Sequence, residues 1–318
     1  MPNYLEGNED FKNFLDKVSD ITGDKFKQMW RDNLRTNYEL FKTGGWATEK
    51  LQEAEKGKTA ILMGASPALS KQLDTLREIQ HDPDFILCGL SCNLEFLLNN
   101  GVRPKYVITV DADPTQGDFF NNIDMGQTDG MTLIAATTAY PPMLKKWKGP
   151  LHFIALEVSD KKLHKIYRQL YGPLNGIGRQ FFSLMGQFNV MMVFIFICLC
   201  CKIILFVGNE LSFATRDSKY YVDREDPRDR DAKHAHGDIY GNIVYTTTGL
   251  MALKLSLEYF TGLVAGAGFF FNCTEAGIFG ITKRYPDYHV PWIHQLTLKN
   301  GIAQARHIMR TGEPFYLN

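Results

Sequence analysis

The stretch AILMGASPALSKQL, residues 60–73, joins an apolar run to a helical pattern through a tight turn. The run stops at Gly64, and Ala65, Ser66 and Pro67 come next. A serine at the N-cap and a proline at the first helical position are typical of a helix start. The stretch therefore predicts a strand, a turn and a helix in succession. The turn either only connects the two elements or also holds a phosphate at the helix tip.

The same alternation of apolar runs and helical patterns continues along the chain. The predicted strands cover residues 59–64, 84–90, 106–111, 131–138, 152–157, 203–208 and 269–274, and the later predicted helices cover residues 93–101, 160–172, 247–264 and 292–310. Strands that are apolar along their whole length suit a sheet covered on both faces. The order predicts a doubly wound, mostly parallel, Rossmann-like α/β fold.

Both ends of the chain carry helical patterns without strands. Residues 1–56 predict a helical N-terminal cap rather than a catalytic unit, and residues 283–318 predict a helical tail. Residues 57–282 form the predicted α/β domain. The first residues lack the basic-then-apolar pattern of a signal peptide, so we expect a cytoplasmic protein.

Composition narrows the functional classes. Thirty-five basic residues balance thirty-five acidic ones, and no basic stripe interleaves with aromatic residues, so a nucleic-acid partner is not expected. The six cysteines form no pair of CxxC motifs, which argues against a zinc site. The apolar run at 190–201 is too short for a membrane span and is followed by Lys202. We expect a buried helix there.

Candidate binding residues follow several of the predicted strands, where doubly wound sheets bind their ligands. Asn93 follows the second strand and either caps a helix or contacts a base or ribose. Asn189, at the start of the apolar helix, is a further candidate. The remaining candidates for nucleotide or sugar binding form three groups: Gly64, Ala65, Ser66 and Pro67; Asn209 and the catalytic candidate Glu210; Asn272, Thr274 and Glu275.

Two acidic residues end the third strand. Asp111 and Asp113 repel each other if their carboxylates point the same way, and Mg²⁺ with a phosphate would relieve that repulsion. Asp111 is also a catalytic candidate. The alternative is that Asp111 caps a turn while Asp113 faces water. His236 lies in a polar stretch at 218–242 and serves as a general base only if that stretch closes over the site.

Five segments resemble a known family. They are GASPALSKQL (64–73), VRPKYVITVDADP (102–114), IILFVGNELSF (203–213), DIYGNIVYTTTGL (238–250) and FFFNCTEAGIFG (269–280). Together they resemble the DUF115 domain of motility-accessory (Maf) flagellin glycosyltransferases and of 6-hydroxymethylpterin diphosphokinases, the MptE-like family. The domain is also similar to bacterial sialyltransferases, which implies that Ser66, Asn93 and Asp111 contact a nucleotide.

The sequence departs from the family pattern at three places. Ser66 stands one position early in the first turn, Asn209-Glu210 replaces Gln-Asp, and Ala276 replaces a glycine. These changes weaken the transfer of individual donor contacts but leave the predicted fold unchanged.

Three functions are compatible with the resemblance. The first is a glycosyltransferase that uses a nucleotide-activated sugar, such as a CMP-nonulosonic acid, with a protein or glycan acceptor. The second is a Mg²⁺-dependent diphosphokinase that transfers pyrophosphate from ATP to a hydroxymethylpterin. The third is a binder of nucleotides or glycans without catalytic activity.

Overall fold

A computed structural model describes most of the chain. The described residues are 9–156, 160–172, 181–182, 186–225, 233–281 and 290–315, with side chains from residue 26 onward except at 181–182. The predicted domain boundary at 282–283 therefore falls outside these residues.

Nine parallel strands form the main sheet. The strands of the chain are β1 (Thr59–Met63), β2 (Phe85–Leu90), β3 (Tyr106–Thr109), β4 (Thr132–Ala136), β5 (Leu151–Leu156), β6 (Phe181–Phe182), β7 (Ile203–Val207), β8 (His234–Gly237), β9 (Ile243–Thr246), β10 (Phe269–Asn272) and β11 (Ile293–Gln295). The sheet order is β11-β10-β7-β1-β2-β3-β4-β5-β6. Every pairing in it is parallel. The strand order reverses between β1 and β7, which is the topological switch point.

Helices cover both faces of the sheet. They are α1 (Glu9–Gly44), α2 (Ala47–Lys50), α3 (Leu73–Ile79), α4 (Leu94–Asn99), α5 (Pro141–Lys146), α6 (Lys161–Leu170), α7 (Gln187–Ile197), α8 (Thr248–Leu263) and α9 (Leu298–Thr311). Successive residues of β1 face opposite cores: Ile61 packs in one with α3 and α9, and Leu62 packs in the other with α7 and α8. The predicted doubly wound α/β fold is confirmed.

The apolar run at 190–201 forms most of helix α7, and nearly all of this helix is buried. It packs against α8 and against strands β1, β2 and β3. The prediction of a buried helix followed by a buried strand is confirmed, because β7 begins at Ile203. In the described part of the chain, no helix combines the length and the apolar character that crossing a membrane requires.

Helix α1 is a single long helix that lies on the sheet. It contacts β5, α5 and α6. The amide of Asn33 donates to the carbonyls of Ala112 and Thr138 at 3.1 and 3.0 Å, and that of Asn37 donates to Thr137 and Ala139 at 2.9 and 2.8 Å. These bonds fix α1 to the chain that follows β3 and β4.

Two elements differ from the sequence-based expectation. The C-terminal tail contributes β11 to the sheet before helix α9 begins, so it is not purely helical. The polar stretch after β7 is not a simple exposed loop, because β8 and β9 form an antiparallel hairpin and Tyr220 is buried against Phe213. The part of this stretch at 226–232 lies outside the described residues.

Candidate functional site

A cavity of about 740 Å³ lies along the carboxyl edge of the sheet. Its lining comes from the last residue of β5, from the chain at the ends of β1, β2, β3 and β7, and from α1, α7, α8 and the segment at 220–225. The lining residues include Phe26, Trp30, Gly64, Ala65, Asp111, Asp113, Gln116, Phe119, Gln187, Asn189, Asn209, Tyr220, Tyr221 and Arg224. Ligands of doubly wound sheets bind at this edge, so the cavity is the candidate site.

Two carboxylates lie in the middle of the cavity, after β3. Gln187 Nε2 donates a hydrogen bond to Asp111 Oδ2 at 2.6 Å, and the hydroxyl of Ser91 donates to Gln187 Oε1 at 3.0 Å. Asp113 accepts hydrogen bonds from the amide and the hydroxyl of Thr115, at 2.9 and 2.7 Å, and so caps the short 3₁₀ helix at 114–120. Both acidic side chains are only half-buried, which leaves them accessible from the cavity.

Asn209 follows β7 and is almost completely buried, with 4% of its surface exposed. Its backbone amide donates to Thr274 Oγ1 at 3.2 Å, but its side-chain nitrogen Nδ2 is buried without a hydrogen-bond partner among the described residues. An unpaired buried donor costs about 1–3 kcal/mol. Because Asn209 also lines the cavity, a ligand acceptor atom would satisfy this donor.

Aromatic side chains and one guanidinium surround the polar centre. Phe119, Tyr220 and Tyr221 line the cavity, and the Tyr221 ring meets Phe119 edge-on at 6.4 Å. The Arg224 guanidinium lies 4.9 Å from the Phe119 ring and forms an ion pair with Glu95 at 3.0 Å. The amide of Val222 donates to the carbonyl of Ala65 at 2.9 Å, which holds this segment across the first turn.

The first turn does hold an acidic group at its helix tip, and this group is the protein's own Glu210 carboxyl. The amide of Ala68 donates to Glu210 Oε1 at 2.5 Å, and the amide of Glu210 donates to Ser66 Oγ at 3.3 Å. Burial raises the pKa of the Glu210 carboxyl, although the bonds from Ala68 and Ser66 act in the opposite direction. Glu210 and Ser66 are both buried and do not line the cavity.

The glycine of this turn is required by the neighbouring strand. A Cβ atom at Gly64 would lie 2.2 Å from the carbonyl oxygen of Gly208, and Gly208 itself has a φ of +61°. The backbones of the first turn and of the chain after β7 therefore touch directly. Pro67 occupies the first position of the 3₁₀ helix at 67–72, as its fixed φ favours.

Two asparagines at strand ends use their amides within the protein. Asn93 donates to the carbonyls of Met63 and Gly64, at 2.8 and 2.7 Å, and accepts from the amide of Leu90. Asn272 donates to Phe279 and Gln295, at 3.1 and 2.9 Å. Both are buried and neither lines the cavity, so these amides join neighbouring strand ends.

Thr274 and Glu275 continue this pattern next to β10. Thr274 accepts from the amide of Asn209, and Glu275 Oε1 accepts from the amide of Leu298 at 3.1 Å, at the start of α9. His236 lies in β8, with Nδ1 2.6 Å from the carbonyl oxygen of Gly237. None of these three side chains lines the cavity.

The structure thus divides the predicted site residues. Those that line the cavity are Gly64, Ala65, Asp111, Asp113, Asn189 and Asn209. Those that do not are Ser66, Pro67, Asn93, Glu210, His236, Asn272, Thr274 and Glu275. Asn189 also donates to the carbonyl of Leu253 at 3.0 Å, which fixes its side chain against α8.

Several lining residues were not indicated by the sequence. Gln187 precedes the apolar run at 190–201 and was not a candidate, and Phe26 and Trp30 lie in residues 1–56, which were predicted only as a helical cap. Arg224 and Gln116 carry no motif. Gln116 Oε1 is a second buried polar atom without a partner among the described residues. Phe26 and Trp30 stand at helical spacing, but nothing local in the sequence places Trp30 or Arg224 at the cavity.

The acidic pair fits Mg²⁺ only when a ligand supplies further oxygens. The described residues contain no group of three or more His, Cys, Asp or Glu side chains arranged to hold a metal ion. Mg²⁺ is commonly bound through one or two carboxylates together with substrate phosphates. Asp111 and Asp113 match that donor set, because both carboxylates line the same cavity.

Comparisons with known proteins agree with this architecture. The family model described as "6-hydroxymethylpterin diphosphokinase MptE-like" matches residues 32–216. The structure of a MAf glycosyltransferase from Magnetospirillum magneticum AMB-1 is similar, with a TM-score of 0.57 and 14% sequence identity. The similarity covers 89% of this chain and 42% of that chain, so this chain spans less than half of the relative's length. A comparison with curated proteins gave no match.

At 14% identity, the likeness to the glycosyltransferase shows a shared fold. The family match includes the first turn, the acidic pair after β3 and Asn209, and it confirms the resemblance that the sequence motifs indicated. Because the match covers more than half of the chain, the protein belongs to the 6-hydroxymethylpterin diphosphokinase MptE-like family.

Proposed function

We propose that the protein is a glycosyltransferase that uses a nucleotide-activated sugar. The observation that carries this proposal is that Asn209, whose buried side-chain nitrogen has no partner among the described residues, lines the same cavity as the acidic pair Asp111 and Asp113. A phosphorylated, hydroxyl-rich ligand supplies the acceptor atoms that the amide lacks. The likeness to a solved glycosyltransferase supports the same class of enzyme.

The charge of the cavity suggests how such a ligand binds. Four carboxylates and one guanidinium are among the lining residues of the described chain, a formal net charge of −3. A nucleotide phosphate would be repelled by this field unless a cation accompanies it. Mg²⁺ held by Asp111 and Asp113 would neutralise the phosphate and stabilise it as it departs. We therefore expect nucleotide binding to depend on Mg²⁺.

The protein's own groups would bind and orient the donor. The backbone of Gly64 and Ala65 lines the cavity beside the switch point, where nucleotides bind in doubly wound sheets. Asn209 and Asn189 supply amide groups on the β7 side and from α7, respectively. Holding donor and acceptor in the reacting geometry accounts for much of the rate enhancement in such enzymes.

A second function is favoured by the same acidic pair. Two carboxylates that hold Mg²⁺ on a triphosphate suit a diphosphokinase, which would transfer pyrophosphate from ATP to a hydroxymethylpterin. The name of the matching family supports this alternative. Both functions place phosphates near Asp111, so they differ in the nucleotide rather than in the location of the site.

A thermal-shift comparison tests the proposal. The protein is heated with CMP, UDP, GDP or ATP, each with and without Mg²⁺. Binding at 100 times the dissociation constant stabilises the folded state by about 2.7 kcal/mol. Mg²⁺-dependent stabilisation by CMP, UDP or GDP supports the glycosyltransferase. Stabilisation by ATP alone contradicts it in favour of the diphosphokinase, and the absence of any shift contradicts both.

A further inference from the structure

Helix α1 contributes two aromatic side chains, Phe26 and Trp30, to the wall of the cavity. The two rings stack with their centroids 6.2 Å apart and their planes 27° from parallel. Both side chains are half-buried, so part of each ring is accessible. Residues four apart lie on one face of a helix, which is why both rings reach the same cavity.

The position of α1 is fixed firmly enough to build a binding surface. Asn33 and Asn37, one and two turns after Trp30, bond to four carbonyls in the segments after β3 and β4. The guanidinium of Arg31 forms an ion pair with Asp160 at 2.6 Å, at the start of α6. These contacts follow Trp30 directly in the sequence and hold this part of α1 at the sheet edge.

The aromatic pair lies on the opposite side of the cavity from Asn209. Asn209 follows β7, whereas α1 packs on β5, and four strands (β1, β2, β3 and β4) lie between β7 and β5 in the sheet. Asp111 and Asp113, after β3, lie between the two sides. The cavity therefore has one side at the switch point, an acidic centre, and an aromatic side.

The residues matched by the family model include the switch-point side and the acidic centre of the cavity, but not its aromatic side. The matched residues, 32–216, include Gly64, the acidic pair and Asn209, but they exclude Phe26 and Trp30. A ligand common to the family would bind the shared part. The aromatic pair lies outside the matched residues, so the family match assigns no ligand to it.

We propose that Phe26 and Trp30 form the binding surface for the ring of the second substrate, the acceptor. The chemistry they recognise is a ring with one apolar face and polar edges, which stacks on aromatic side chains. A sugar ring of a glycan and a pterin share this chemistry. The inference rests on the proposed function, because it assumes that the nucleotide occupies the switch-point side.

Calorimetric titration of the full chain tests this assignment with two kinds of probe. One arm uses 6-hydroxymethylpterin and the other uses free monosaccharides, each with and without the nucleotide that stabilises the protein best. Replacing Trp30→Leu should weaken binding of the ring probe about tenfold or more, as loss of one stacking contact does. Trp30→Phe keeps a ring and should retain most of the affinity. Nucleotide affinity should change less than twofold in both variants.

Trp292→Phe is the matched control, because Trp292 bonds to Glu258 and Thr261 outside the cavity lining. It should leave the affinities for both kinds of probe unchanged. The assignment is overturned if Trp30→Leu weakens nucleotide binding and leaves binding of the ring probe unchanged. It is also overturned if no ring probe binds the unaltered protein. If no nucleotide binds but Trp30→Leu still weakens the ring probe, the aromatic surface stands and the proposed donor does not.

Discussion

At the junction of β1 and β7, polar groups bond to one another, whereas at the end of β3 they face the cavity. Ser66 and Glu210 satisfy each other and the amide of Ala68, and both are buried. Asp111 and Asp113 lie at the same sheet edge but line the cavity and are half-buried. Polar residues at strand ends therefore fall into two groups. Some form hydrogen bonds that connect neighbouring loops, and others remain accessible to a ligand.

This difference predicts that the junction carries stability. In Gly64→Ala, the new Cβ would lie 2.2 Å from the carbonyl oxygen of Gly208, and only a backbone shift could relieve that contact. We expect a loss of about 3 kcal/mol or more in the free energy of unfolding, at the upper end of overpacking effects. Urea denaturation followed by circular dichroism measures this loss.

Gly266→Ala is the control for that experiment, because a Cβ at Gly266 meets no atom within 4 Å. Its free energy of unfolding should change by less than about 1 kcal/mol. Equal stability of Gly64→Ala and the unaltered protein would show that β1 and β7 are not in the close contact described above.

The acidic pair should show the opposite behaviour. Asp111→Asn removes a carboxylate that faces the cavity, so we expect Mg²⁺-dependent nucleotide binding to weaken at least tenfold, about 1.4 kcal/mol. Without ligand, the free energy of unfolding should stay within about 0.5 kcal/mol. Thermal shifts measured over a range of nucleotide concentrations give both quantities.

Asp74→Asn is the matched control, because the Asp74 side chain is 91% exposed on α3, away from the cavity lining. It should leave nucleotide binding unchanged. Strong nucleotide binding by Asp111→Asn in the presence of Mg²⁺ would remove Asp111 from the proposed site.

The sequence predicted the edge where polar residues gather, but not how each one is used. The strand ends after β1, β3, β7 and β10 follow from local apolar patterns. The bond between Ser66 and Glu210 does not, because it depends on β7 pairing with β1 across more than 140 residues. The same limit applies to Trp30, whose helix was predicted but whose place on the sheet depends on distant carbonyls.

Short elements were also difficult to predict. Strand β11 has three residues and directly precedes a helix, so its pattern was merged with the helical one. Arg224 lies in a polar segment whose composition is that of an exposed loop. Its contacts with Phe119 and Glu95 place it in the cavity wall, and each partner is distant in sequence.

The buried carboxyl of Glu210 gives the stability of the β1–β7 junction a pH dependence. Its pKa is raised in the folded protein by burial, relative to a value of about 4.5 when unfolded. Its contribution to stability is therefore fully present below pH 4.5 and is lost as the pH rises through the raised pKa. Glu210→Gln cannot ionise, so this dependence should disappear in the variant.

The measurement is the free energy of unfolding of both proteins between pH 4 and about pH 8. Near neutral pH, the variant should lose at most about 2 kcal/mol, because the lost charge-assisted bond to Ala68 is offset by the removed cost of burying a charge. The difference between the two curves of unfolding free energy against pH gives the contribution of Glu210 alone, because the other carboxyls are present in both proteins. A difference that does not change with pH would contradict the raised pKa.

Substitution of Arg224, in the segment at 220–225, should cause the smallest loss of stability. It also tests whether this segment behaves like the β1–β7 junction or like the cavity-facing end of β3. Arg224 is paired with Glu95 and lies over Phe119, but 21% of its side chain is exposed. Solvent-accessible pairs of this kind contribute about 0–1 kcal/mol, so Arg224→Gln should cost about 1 kcal/mol or less in unfolding free energy.

Because Arg224 is the one cation among the described lining residues, its loss makes the cavity more negative and should weaken nucleotide binding a few-fold. Arg224→Lys keeps the charge and should restore most of that affinity. If Arg224→Gln instead cost as much stability as Gly64→Ala, the segment would belong with the β1–β7 junction rather than with the ligand-facing part of the edge.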